Sequence, residues 1–84
     1  MEAYELNDKA VEAMTESNTI LDDMMAETDP VPKIAVALTL HTFVSTAQDI
    51  VGMHKEYGME ISDQLNKSFL QFQAKVEVIK LTML

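Results

Sequence analysis

The side chains in this 84-residue sequence with which chemistry could be done are two histidines, four serines and an unevenly placed set of carboxylates. His41 and His54 fall on different sides of a helix and form no i, i+4 ligand pair; a metal ion needs three or four converging ligands. Ser17, Ser45, Ser62 and Ser68 stand on helical segments with no glycine elbow to expose a nucleophile. Two glycines are too few for a phosphate-binding loop, and there is no cysteine to act as a thiolate. Asp22-Asp23 lacks the loop and glycine of an EF-hand. The expectation is a non-enzymatic protein with no catalytic residue, no metal and no cofactor.

The carboxylates do form a pattern. Residues 1–29 hold nine acids against Lys9, a net charge of −8, while residues 30–84 hold five acids and five lysines and sum to zero. Glu5, Glu12, Glu16 and Asp23 line up on one side of a helix. That line can be the solvated back of a bundle helix, or a docking face for a basic groove on a protein partner, with steered association as the gain. It can also mimic nucleic acid and occupy a basic groove, although a mimic needs two rows of charge at groove-like spacing. Direct nucleic-acid binding is not expected, because phosphates are neutralised by clustered Lys or Arg and arginine is absent.

Six methionines follow the first residue, at Met14, Met24, Met25, Met53, Met59 and Met83. Thioethers fill irregular cores and also line adaptable binding surfaces. Met24 and Met25 with Ile20 and Leu21 make the best candidate patch of the second kind.

Three elements must position these residues. Residues 2–26 repeat with a period of 3.6: Ala3, Leu6, Ala10, Ala13, Met14, Ser17, Leu21 and Met24 on one side, the acids on the other. The small residues Ala3, Ala10 and Ser17 recur at one spacing and let a neighbouring helix come close. Thr28-Asp29-Pro30-Val31-Pro32 is the strongest break, with Asp29 expected to cap the next helix and both prolines expected in its first turn. So short a connection favours an antiparallel pair.

From residue 32 onward one apolar stripe runs in steps of three and four: Val36, Leu40, Phe43, Ala47, Ile50, His54, Gly58, Ile61, Leu65, Ser68, Phe72, Val76, Ile79 and Met83. Gly58 has two readings. As a glycine just past a helix end, after His54 and Lys55, it separates a helix over 32–57 from one over 62–84 that Ser62 caps. As an interior residue it leaves a single helix about 78 Å long, since the stripe crosses it in phase. Four-residue steps in the stripe relax a left-handed supercoil, so straight packed helices are expected over a long coiled coil. The last residues also alternate with period two, which keeps a C-terminal strand as the alternative.

The fold class is therefore all-α, a helical hairpin or a three-helix bundle. With roughly 60% of its unfolded surface buried on folding and neither disulfide nor zinc to staple it, so short a domain is expected to be oligomeric. The predicted self-association residues are Val36, Leu40, Phe43, Ile50, His54, Ile61, Leu65, Phe72, Val76, Ile79 and Met83. His54 reads as a packed histidine with one ring nitrogen bonded, or alternatively as a pH-sensitive contact within the seam. The opposite side of the second helix, His41, Thr42, Ser45, Gln48, Asp49 and Gly52, is polar but nearly uncharged, which points to a contact, for instance with another copy.

The most apolar window, Ile34–Val51, is about long enough to span a bilayer. It contains His41, Gln48 and Asp49, and a charge near the centre of a span costs about 2.5–3.5 kcal/mol, so it reads as a buried helix and no membrane span is expected. Met1 to Asn7 is acidic where a secretory signal is basic, and the expected location is the cytoplasm.

These features predict a small acidic adaptor, chaperone-like or inhibitory module that binds a protein partner through Glu5, Glu12, Glu16, Asp23, Ile20, Met24 and Met25. Two helices joined at an Asp-Pro turn in a chain of this length also resemble, in topology, the needle and inner-rod subunits of bacterial type III secretion filaments. The resemblance implies a structural subunit, exported without a cleavable signal, as the alternative function.

Overall fold

Asp29 and Val31 each precede a proline, whose ring holds the preceding residue extended, and this ends the first helix. In a computed structural model that describes residues 3–83, with side chains from Glu5 to Thr82, the chain forms α1 (Ala3–Ala26), α2 (Lys33–Glu56) and α3 (Asp63–Met83). They run up, down and up in a three-helix bundle of 42 × 19 × 19 Å. Residues 76–83 are helical, so the alternative of a C-terminal strand is not taken.

The turn between α1 and α2 departs from expectation. Pro32 (φ −56°, ψ 132°) is the N-cap residue and no side chain caps α2. Its carbonyl accepts from the N–H groups of Ala35 and Val36 at 3.0 and 3.2 Å. Asp29 is drawn back instead, its N–H donating to Glu27 Oε1 at 3.1 Å. Because Val31 is held extended by Pro32, both prolines lie ahead of the first turn.

At the second turn the two readings of Gly58 separate. Gly58 has φ +65°, the left-handed conformation that a glycine adopts without a Cβ clash. The Met59 N–H donates to the His54 carbonyl at 2.8 Å and the Gly58 N–H to the Lys55 carbonyl at 3.1 Å, the paired bonds of a Schellman motif. The last carbonyls of α2 are thus satisfied inside the turn and the helix stops. Ser62 then caps α3: its Oγ accepts the Leu65 N–H at 3.1 Å, as expected. Ser62→Ala should cost about 1 kcal/mol, read as a lower urea midpoint with an unchanged slope.

Core packing is uneven. α1 and α3 are the closest pair, with Leu6, Ala10, Met14 and Leu21 buried on one and Leu65, Phe72, Val76 and Ile79 on the other. Ala10 and Ser17 lie in this seam, and their small side chains let the helices approach. Asn18 sets the register: its Nδ2 donates to the Ser68 carbonyl at 3.2 Å. Lys75 Nζ donates to the Asn18 carbonyl at 3.4 Å and to the Asp22 carboxylate at 3.1 Å. The Asp22 end of that pair is open to water, so it orients more than it stabilises.

α2 contributes Leu40, Ile50 and His54 to the buried interior and little else. Here the expectation of a buried helix is corrected: only 11% of its most apolar 18-residue stretch is buried. α1 and α3 already cover one another around the level where Asn18 meets Ser68 and Asp22 meets Lys75. A third helix can present only one stripe to that pair, and apolar residues of α2 such as Ile34 and Leu38 fall outside it.

Candidate interaction surface

Gly58 folds the long stripe back on itself, which changes what its residues do. Leu40, Ile50, His54, Leu65, Phe72, Val76 and Ile79 are buried within the chain, and Val36 and Phe43 are half-buried against the same core. Ile61 is at the surface, and the Met83 side chain lies outside the described residues. Apart from Ile61, the described residues predicted for self-association therefore serve the monomer's own interior. Ile61, Phe72 and Val76 also line the surface left open for association.

It lies on the face turned away from α1. Between α2 and α3 the helices diverge into a groove of about 570 Å³. One wall is Val44, Ala47 and Val51 of α2, spaced three and four apart; the other is Phe69, Leu70 and Gln73 of α3. Glu77 and Lys80, of opposite charge, stand at one end. Next to it, the outer side of α2 exposes Ile34 at 68% and Leu38 at 60%, and α3 exposes Leu70 at 57% and Leu81 at 69%. The periodic stripe did not reveal these four, which lie off it. The available signal was the near absence of charge on the outer side of α2.

Gly52 lies on that outer side. A glycine in a helix interior costs about 1 kcal/mol relative to alanine. Nothing within the chain compensates, since a Cβ built there meets no atom within 4 Å. Ser45, two turns earlier on nearly the same line, is also small.

A second opening of about 370 Å³ lies at the α1–α2 turn, lined by Met24, Met25, Val31, Val36, Val78 and Ile79 among others. The methionine patch read from the sequence is thus joined by the last turns of α3. Met25 and Ile20 are exposed and Met24 is half-buried. Leu21 is wholly buried, which removes it from the patch, because it points into the α1–α3 seam.

The acidic line behaves as its spacing implies. Glu12, Glu16 and Asp23 are exposed and Glu5 is partly so. At 100° per residue they lie opposite the buried side of α1, so carboxylates and groove occupy opposite sides of the bundle. Glu12 has one cation nearby, Lys9 at 3.9 Å on the exposed surface.

His41 is exposed, and His54 is 1% exposed. His54 Nδ1 lies 2.8 Å from the Ile50 carbonyl; a carbonyl only accepts, so Nδ1 carries the proton. Its Nε2 has no partner among the described residues. That is the packed histidine with one ring nitrogen bonded, within the chain's own core. Among the described residues no three His, Cys, Asp or Glu side chains are grouped to hold a metal ion.

Comparison with protein-family models, with curated proteins and with solved structures finds no match to the chain.

Proposed function

We propose that this protein is a non-enzymatic protein-interaction module that works as an oligomer. One observation carries the reading: the most apolar helix of the chain is the one its own fold covers least. A folded monomer of 9.4 kDa has an accessible surface of about 5,000 Å² by the usual scaling, against 5893 Å² here. Apolar side chains left in water at that scale are an association surface. Placing most of the excess charge on α1, facing away, keeps the assembled protein soluble and leaves the acidic line free for a basic site on a protein partner.

Sedimentation across a wide concentration range tests this. A closed oligomer of few copies is expected. A monomer at every concentration would remove the oligomeric part of the reading. Open-ended growth would favour the filament subunit, whose outline of two helices the observed third helix already departs from.

A further inference from the structure

We infer that the occupant of the α2–α3 groove is a second copy of this chain, bound by two-fold symmetry with the two α2 helices antiparallel. This rests on the oligomeric reading above and specifies its surface.

Area argues for it first. The surface in excess of a folded monomer of this mass is about 900 Å², and a stable dimer buries about 800 Å² on each partner.

Charge selects the face. Two copies meeting through α1, whose six acids outweigh Lys9, would set −5 against −5, whereas residues 30–84 sum to zero. The α2–α3 side is the one on which two identical chains meet without repulsion.

Shape selects the arrangement. The groove carries no charge along the α2 wall, so the helix that fills it must be almost free of charge on its outer side. Within this chain α2 alone meets that demand, its exposed outer side carrying no charge from Ile34 to Gln48. A two-fold axis near the middle of α2 lays each α2 beside its counterpart and over the other copy's groove. The Ile34–Leu38 end of each copy then covers Val51, Gly52 and Leu70 of the other. Ser45 and Gly52 let the two helix backbones approach closely, which gives Gly52 the compensation it lacks within the monomer.

Gly52→Leu and Leu70→Lys test the inference. Both positions are open in the monomer, so circular dichroism should show each variant folded. By sedimentation equilibrium the unaltered protein should be a dimer and each variant should dimerise at least about tenfold more weakly. A dimer untouched by both substitutions would overturn this surface while leaving the oligomeric reading intact. A protein that is monomeric throughout would overturn both. A protein that stays monomeric yet floats with phosphatidylcholine vesicles would assign the exposed side of α2 to a bilayer instead.

Discussion

Phe72→Ala is expected to remove a large share of the protein's stability. Phe72 is 4% exposed in the α1–α3 seam, and truncating a buried phenylalanine costs about 3–5 kcal/mol through lost transfer energy and the cavity left behind. For 84 residues the total stability is about 4–13 kcal/mol, so the loss takes a large share of it. Leu70→Ala, two residues earlier on the same helix, is the contrast: its side chain is mostly in water, and an isolated surface change stays within about 0.5 kcal/mol. Urea unfolding followed by circular dichroism, at a protein concentration low enough to hold the monomer, reads both. Equal losses at 70 and 72 would contradict the packing of α3 on α1.

Gly58→Ala is expected to change the shape of the protein. At φ +65° an L-residue pays about 1–2 kcal/mol, with no steric term, since a Cβ there meets nothing within 4 Å. Alanine also favours a helix interior over glycine by about 1 kcal/mol. Both effects push toward the continuous helix, in which the apolar stripe stays in phase across position 58. That helix is about 78 Å long against a longest dimension of 42 Å for the bundle, and it can be covered only by other subunits, as in a domain swap. Small-angle scattering should show the longer particle and sedimentation a larger one. Gly58→Asn should keep the bundle, because asparagine tolerates the left-handed conformation. If the alanine variant kept the 42 Å particle with no loss of stability, the turn would owe nothing to its glycine.

Much of the fold was legible in advance. Leu6, Ala10, Met14, Ser17 and Leu21 were read as the buried side of α1 from spacing alone, and Ser62 as a cap from its type and place. These depend on neighbours along the chain, where 3.6-residue periodicity and hydrogen-bonding reach decide the outcome. Asp29 was misjudged because two nearby prolines compete to set the start of α2, and the extended Val31 prevails. Asn18 was not foreseen in the core, since its burial comes from the Ser68 carbonyl fifty residues away.

The candidate surface was less legible. Periodicity marks the residues that face something, but it cannot say whether that something is the same chain or another. The stripe from Val36 to Ile79 was correctly identified as an apolar seam, and Gly58 made it an internal one.

By itself, then, the sequence determined an all-α chain broken at the Asp-Pro turn, with Gly58 open to two readings, a chain without recognisable catalytic groups, and a division of charge between an acidic first segment and a neutral remainder, all properties of residue type and local spacing. Tertiary structure alone decided that α1 and α3 pair closely and that α2, the most apolar segment, is left partly uncovered. The reason is geometric: two closely packed helices leave a third only one stripe of contact, and what lies outside that stripe faces water until a partner covers it.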